Sequence, residues 1–257
     1  MRKSNGSFVF VDRWATPEFG TLANTMSASA IRREMKGLAD PSRAAAVSRF
    51  FKTAPGQYGA GDRFLGIRVP VLRTLAAKYH ALSLRGLSAL LGSPWHEERL
   101  LALLILVRQY SRAQPPHREA IYRLYMSRTA QINNWDLVDC SAEHIVGAHV
   151  RDGTRTRLLR LAKSKVLWER RIAIMATFHY IKHGDFDDTL RVARLLRDDP
   201  HDLIHKAVGW MLREVGKRSR AVEEEFLQQH AQRMPRTMLR YAIERFPRGL
   251  RRRYLAA

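Results

Sequence analysis

Apolar residues recur three and four positions apart along nearly the whole chain after Ser27, whereas alternating apolar and polar stretches are almost absent. The first spacing is that of a helix with one buried stripe, and the second is that of a half-buried strand. The pattern therefore predicts an all-α protein. Glycine and proline predict its longer loops, at the segment 56–61 ahead of Pro70 and around Pro115 and Pro116.

The predicted helices also repeat one another at an interval of about 35 residues. Equivalent positions in this register are Glu98, Asn134, Glu169 and His205, then Arg99, Trp135, Arg170 and Lys206, and then Leu103, Asp139, Ile174 and Trp210. Helix pairs of this length stack into solenoids. The prediction is a superhelical solenoid of stacked antiparallel helix pairs, with a concave cationic wall that carries an acid and two indoles.

Composition predicts one large domain with a basic surface. The chain has 257 residues, 46% of them hydrophobic, and carries 45 Lys and Arg against 24 Asp and Glu, a formal net charge of +21. We expect residues 27–257 to form a single domain, and residues 1–26, which lack a helical period, to be an extension outside it. The charge favours a polyanionic partner such as nucleic acid, while attraction to an anionic membrane surface stays open as an alternative.

The cysteine content and the length of the apolar runs indicate the cellular compartment. Cys140 is the sole cysteine, which excludes an intramolecular disulfide and a zinc site built from several cysteines. The longest apolar run, 100–107, is too short to cross a bilayer, and the short apolar stretch 8–11 is followed at once by Asp12 and Arg13. We therefore expect a cytoplasmic protein without a membrane anchor.

The segment 133–147 is the first candidate for chemistry. Either Asn133 or Asn134 can cap a helix there, and Trp135 and Asp139 share one face because they are four residues apart. The buried stripe of this helix is predicted at Val138, Ala142, Ile145 and His149. The pattern thus indicates a carboxylate beside an indole at the edge of a core. A capping acid and a packing tryptophan are the alternative.

A second candidate is Arg171, in a helix predicted over 167–182. It lies between apolar residues on one face of that helix, so its guanidinium needs a partner. The side chain could extend until its guanidinium reaches solvent, or the guanidinium could form a structural ion pair. Otherwise it emerges in the groove, where it suits a phosphate or a carboxylate such as Asp139.

The next helix supplies Trp210. Its core stripe is predicted at Ile204, Val208, Met211 and Val215. Trp210 falls outside that stripe, between Leu203 and the basic pair Lys206 and Arg213. An indole among cations suits contact with a sugar, a base or a cationic lesion, and packing against a neighbouring helix is the alternative.

Other polar residues are weaker candidates. Two pairs of histidines stand four residues apart, at 179 and 183 and at 201 and 205, as metal ligands can. A glutamate base and a third ligand are missing, so we expect no metal and no cofactor. Further phosphate contacts are predicted at four basic residues. The alternative is that these side chains are simply charges exposed to solvent. They are Lys163, Lys165, Arg236 and Arg240.

Several segments, in the same order along residues 42–246, resemble the AlkD-type DNA alkylation repair glycosylases, a HEAT-like repeat family. The segment 135–139 matches the family pattern Trp-Asp-x-Val-Asp, and 168–171 matches Trp-x-Arg-Arg. Further matching segments are 50–62, 64–70, 206–214 and 234–242. The ordered set is more specific than any one segment.

The resemblance implies hydrolysis of the N-glycosidic bond of cationic alkylated purines, such as N3-methyladenine and N7-methylguanine, in duplex DNA. It implies active-site roles for Trp135, Asp139, Arg171 and Trp210, with Asp139 stabilising a developing oxocarbenium ion and positioning water. Arg170, as the neighbour of Arg171, is open for the same role. It implies a monofunctional enzyme that needs no lysine and acts on a stacked lesion. The family often places a tyrosine at the groove, and either Phe51 or Tyr58 could match it.

Two other functions stay open. A HEAT-like repeat protein that binds nucleic acid without catalysis would share the fold and the basic surface but lack the acid or the indoles. A scaffold for other proteins fits the excess positive charge less well. We therefore expect DNA containing alkylated bases as the partner, contacted also by Arg170, Lys206 and Arg213, and no obligate protein partner.

Overall fold

The computed structural model describes residues 26–150 and 155–256. Within these ranges the chain is helical apart from loops and one isolated bridge between Arg63 and Trp95, so the prediction of an all-α protein is confirmed. No helix of the described residues is both long and apolar enough to cross a membrane. The predicted extension 1–26 lies, except for Met26, outside the described residues.

The helices are α1 (Ala28–Gly37), α2 (Pro41–Phe50), α3 (Val69–Lys78), α4 (Leu84–Leu91), α5 (His96–Arg112), α6 (Pro115–Ser127), α7 (Trp135–Asp139), α8 (Ala148–Val150), α9 (Thr156–Ala162), α10 (Leu167–Ala176), α11 (Phe178–Ile181), α12 (Asp187–Leu196), α13 (Asp202–Gly216), α14 (Arg220–His230), α15 (Arg236–Ala242) and α16 (Arg248–Ala256). A π-helical turn, Glu143–Gly147, joins α7 to α8. Pro41, Pro70 and Pro115 lie in first turns, where a missing amide costs no helical hydrogen bond.

The helices stack in pairs, which confirms the predicted solenoid of HEAT-like repeats. The first helices of the pairs are α4, α6, α9, α12 and α14. The second helices are α5, α7 with α8, α10 with α11, α13 and α15. Each of the first four packs on its own first helix and on the next second helix. We call the face formed by the second helices the inner surface. Two glycines let these helices approach closely, because a Cβ at Gly147 would lie 2.2 Å from the Ala176 carbonyl oxygen and one at Gly209 would lie 2.4 Å from that of Met238.

Hydrogen bonds reproduce the repeat register predicted from the sequence. Arg99 donates from Nη1 to the Ser93 carbonyl oxygen at 2.9 Å, and Arg170 donates from Nη1 to the Ser164 carbonyl oxygen at 3.0 Å. Each serine hydroxyl also accepts from the backbone amide two residues further on, at 3.1 and 3.0 Å. Both arginines are the fourth residue of a second helix, so the same local structure recurs at equivalent positions of the predicted register.

The predicted buried stripes are confirmed at fully buried apolar side chains, whereas His149 is only partly buried. The apolar ones are Val138, Ala142, Ile145, Ile204, Val208, Met211 and Val215. The helix predicted from Asn134 is shorter than expected, because α7 ends at Asp139. Ser141 donates from its hydroxyl to the Leu137 carbonyl oxygen at 2.5 Å, a bond that competes with the helical ladder just ahead of the π-helical turn.

A buried glutamate fixes the long loop between α2 and α3. The carboxylate of Glu97, at the start of α5, accepts from the amides of Leu65 and Gly66, both at 2.8 Å. Gly66 has φ +79°, and a Cβ there would lie 2.2 Å from the Asp40 carbonyl oxygen, so this turn requires glycine. The clamp holds the loop, and the aromatic residues at the end of α2, against the second helices.

Candidate active site

The centre of the site is an ion pair between two second helices. Arg171 on α10 donates from Nε to Oδ1 of Asp139 at 2.8 Å and from Nη2 to Oδ2 at 2.7 Å. The Asp139 side chain is 15% exposed and that of Arg171 is 6% exposed. The carboxylate, at the end of α7, is therefore oriented by two parallel hydrogen bonds and still reaches the surface.

The same guanidinium joins a third helix. Its Nη1 donates to the Leu203 carbonyl oxygen on α13 at 2.5 Å. That carbonyl belongs to the first turn of α13, so α7, α10 and α13 meet at one side chain. Of the alternatives left by the sequence, the structure shows the pair with Asp139, and it assigns that pair to Arg171 and not to Arg170.

The electrostatics of Asp139 depend on this pair. Burial raises the pKa of the Asp139 carboxyl above its ordinary value, and the attraction and hydrogen bonds of Arg171 oppose the rise. The nearby Asp136 adds to the rise. Arg171 is therefore the group that favours the anionic form of Asp139.

An aromatic cluster forms one side of the site. Trp135 stacks on Phe51, with ring centroids 5.2 Å apart and planes 18° apart, and meets the edge of Phe50 at 6.1 Å. Phe51 is buried, whereas Phe50 is 65% exposed. A large exposed ring beside the partly buried Trp135 suits contact with a nucleotide. Sequence reasoning missed Phe50, although it lies in the matching segment 50–62, because nothing in the helical period marks α2 as facing the site.

Phe51 and Tyr58, the two residues considered for the groove, lie in different environments. Phe51 lies beneath Trp135 and is also stacked on Phe64 at 5.1 Å. Tyr58 is partly buried and meets the edge of Trp168 at 6.1 Å. Phe51 thus supports Trp135 from the core side, and a contact of either residue with DNA stays a prediction.

A buried cation fixes the start of α7. His96 lies between two carboxylates, with Nε2 2.8 Å from Asp136 and Nδ1 3.2 Å from Asp62. Burial lowers the pKa of His96, but the hydrogen bonds to Asp136 and Asp62 outweigh this and raise it to about 9. Asn134, the cap of α7, donates to the same Asp62 carboxylate at 3.2 Å. The cluster therefore holds in place the first turn of the helix that carries Trp135 and Asp139.

Protonated His96 is expected to make stability depend on pH. Because its folded pKa of about 9 exceeds the ordinary 6.5, its contribution is complete below pH 6.5 and is lost as pH rises to 9, up to about 3 kcal/mol. Urea unfolding between pH 6 and 9 measures this loss. His96→Gln should be less stable at pH 6 and should lose less stability on raising the pH. An equal pH dependence in both proteins would contradict a charged His96.

Trp210 lies further along the inner surface. It is partly buried, donates from Nε1 to Glu214 at 3.2 Å, and has its ring 6.3 Å from that of Phe178. Leu203, whose carbonyl oxygen accepts a hydrogen bond from Arg171, is seven residues earlier on α13. Leu203 and Trp210 therefore share a face of α13 and lie about 10 Å apart along the helix. The contacts of Trp210 itself are with Glu214 and Phe178.

The predicted phosphate contacts fall into two groups. Lys163, Lys165, Arg236 and Arg240 are exposed. Lys206 pairs with Asp202 at 2.7 Å, and Arg213 pairs with Glu244, so part of the charge around Trp210 is balanced within the protein.

Arg170 is held in a structural network. It binds the buried Asp199 at 2.5 Å and donates to the carbonyl oxygens of Ser164 and Lys165, both at 3.0 Å. These contacts occupy its guanidinium, and its contact with DNA stays a prediction.

The histidine pairs serve local hydrogen bonds. His183 Nδ1 lies 2.7 Å from the His179 carbonyl oxygen, and His201 accepts from the Leu203 amide at 3.1 Å. Within residues 26–150 and 155–256 no group of three or more histidine, cysteine or acidic side chains is arranged to hold a metal ion.

Fold and site together define a HEAT-like helical-repeat protein with a carboxylate, an arginine and aromatic rings at a site on its second helices. A family model described as DNA alkylation repair enzyme matches residues 31–246, and the chain belongs to this family. A solved structure, a predicted DNA alkylation repair enzyme from Enterococcus faecalis, is similar over 82% of this chain and 97% of that chain, with 19% identity and a TM-score of 0.64. No curated protein sequence matches the chain significantly.

Proposed function

We propose that the protein is a monofunctional DNA glycosylase that hydrolyses the N-glycosidic bond of cationic alkylated purines, such as N3-methyladenine and N7-methylguanine, in duplex DNA. The observation that carries the proposal is the Asp139 carboxylate, oriented by Arg171 and still partly exposed beside Trp135. Membership of a DNA alkylation repair family supports a role in DNA repair. The chemistry of the site supports the finer activity.

Asp139 supplies the charge that this reaction needs. An alkylated purine carries a positive charge and leaves as a neutral base, so the deoxyribose develops oxocarbenium character as the bond to the base breaks. An oriented anion beside the sugar stabilises that charge as it forms, and the same carboxylate accepts a hydrogen bond from the attacking water. The bidentate pair with Arg171 fixes the carboxylate in advance, so little reorganisation is needed.

Aromatic side chains hold the lesion nucleotide. Phe50 is exposed, and Trp135 and Trp210 are partly buried. The negative faces of such rings attract a cationic base or its sugar. The exposed lysines and arginines of the surface bind the phosphates on either side. An open surface of this kind suits a lesion that remains in the duplex.

The direct test is release of free base. Duplex DNA treated with a methylating agent is incubated with the protein, and the supernatant is analysed by chromatography. We expect N3-methyladenine and N7-methylguanine to appear in proportion to enzyme and time. Binding of the duplex without release of either base would refute the glycosylase and leave the non-catalytic nucleic-acid-binding protein.

Trp210→Ala is expected to weaken lesion recognition more than general binding, because the indole is one neutral contact among many charged ones. The ratio of affinities for a methylated and an undamaged duplex should fall by about 10-fold, in line with about 1 to 3 kcal/mol for stacking on an aromatic side chain. Fluorescence anisotropy with both duplexes measures the ratio. Trp168→Phe, at a buried tryptophan, is the matched control and should leave the ratio unchanged.

A further inference from the structure

The last helix, α16, is unusually basic. Its nine residues include four arginines, at 248, 251, 252 and 253, and no acid. The helix begins after residue 246, where the match to the family model ends. The helix therefore lies outside the residues that the family model matches.

These arginines differ from those around the candidate active site. Arg170, Arg171 and Arg213 each bind a carboxylate. Arg248 and Arg252 are exposed, and neither pairs with a carboxylate anywhere in the described part of the chain. Guanidinium groups without a counter-charge retain their full attraction for an external anion.

The local shape suits a phosphate group. Arg248, Arg251, Arg252 and Leu255 border a depression of about 430 Å³. Arg236 on α15 fastens the end of the helix by donating to the Leu255 carbonyl oxygen. A concave rim of planar, donor-rich side chains matches the oxygens of a phosphate.

The position relative to the candidate active site follows from the stacking. The inner surface runs from α7 through α10 and α13 to α15, and α16 packs on α15. Three helix-to-helix steps of about 8 to 10 Å lead from α7 to α15, and a fourth leads to α16, which therefore lies about 32 to 40 Å from Asp139. At about 3.4 Å for each base pair, this is about ten base pairs along a duplex.

We propose that α16 is a second phosphate-binding surface for duplex DNA, about ten base pairs from the lesion and on one side of it. The α16 surface consists of Arg248, Arg251 and Arg252, next to the exposed Arg245 on the preceding turn. The proposal rests on the proposed function, because it takes the duplex on the inner surface as its starting point. It makes the footprint of the protein on DNA asymmetric about the lesion.

The test is the salt dependence of binding to an undamaged duplex of about 30 base pairs, measured by fluorescence anisotropy. The variant Arg248→Gln/Arg251→Gln/Arg252→Gln removes the charge and keeps good helix formers. Affinity should fall by about 10-fold, and the slope of log K against log salt should become shallower by about 2 to 3, as expected for two or three lost phosphate contacts. Arg252→Glu alone, at an exposed position, should change both quantities in the same direction.

The matched control removes three exposed arginines from the first helices, as Arg85→Gln/Arg160→Gln/Arg194→Gln. It lowers the net charge equally and should change affinity by less than about twofold, because these helices face away from the inner surface. Equal losses in both triple variants would show a general charge effect and overturn the proposal. An unchanged slope in the α16 variants would also overturn it.

Two further measurements separate the remaining outcomes. Vesicles containing phosphatidylserine test a membrane as the partner: loss of vesicle binding with unchanged duplex binding in the α16 variants would overturn the proposal. Release of methylated bases by the unaltered protein is measured in parallel. Its absence would refute the glycosylase, whereas the affinity and slope on undamaged DNA report on α16 alone.

Discussion

Asp139→Asn is expected to reduce the release of methylated bases by at least about 100-fold, a loss typical of removing a group that stabilises transition-state charge. Asparagine has nearly the same shape, but it is neutral and cannot stabilise a developing oxocarbenium ion. Affinity for the duplex should change by less than about threefold, because most of it comes from phosphate contacts elsewhere. Single-turnover release and anisotropy measure the two quantities separately.

Asp198→Asn is the matched control for this variant. It also removes one negative charge, but the Asp198 side chain is 58% exposed and pairs with Arg197 and Arg233 on the surface. Base release by Asp198→Asn should equal that of the unaltered protein. Asp139→Asn with full activity would show that the carboxylate is not the catalytic group.

Arg171→Gln is expected to move the acid limb of the pH-rate profile to higher pH. The active form of Asp139 is the anion, so activity is lost as pH falls through the Asp139 pKa. Burial raises that pKa and Arg171 opposes the rise, so removing Arg171 raises it further. At a pH within the acid limb, activity should fall below that of the unaltered protein and should recover as pH rises. Release rates between pH 5 and 9 measure the shift.

Arg170→Gln separates this electrostatic effect from a loss of stability. Arg170 is the next residue, and it also pairs with a buried carboxylate, that of Asp199. Removing one partner of a buried pair costs about 3 to 5 kcal/mol, so both variants should unfold at lower urea concentration. Only Arg171→Gln should move the acid limb. The same shift in both variants would assign it to weakened folding and contradict the role of Arg171.

Much of the fold was predictable because helical solenoids are held together by local contacts. The spacing of apolar residues predicted the buried stripes of the second helices, and the interval of about 35 residues predicted the register that Arg99 and Arg170 reproduce. The break after Asp139 was not predicted. The Ser141 hydroxyl competes with the helical hydrogen bonds because it donates to the Leu137 carbonyl oxygen. That bond forms only once the backbone has brought the two groups together, so the residue type alone does not predict it.

The candidate site was predictable only in part. Trp135 and Asp139 share a helix, so their spacing placed them together, and Arg171 was marked by its position on an apolar face. The choice between Arg170 and Arg171 depended on which guanidinium meets Asp139 and which meets Asp199. Phe50 joins the site from α2, more than 80 positions earlier in the chain than Trp135, a contact that no local period reports.

The sequence by itself determined the all-α class, the repeat and the basic character, since these depend on periodicity and composition along the chain. Only the tertiary structure decided which carboxylate each arginine binds, how His96 locks the start of α7, and which aromatic rings remain exposed. Those outcomes depend on distances between helices far apart in sequence. A few ångströms there decide whether a charge is paired or free, and sequence spacing carries no such information.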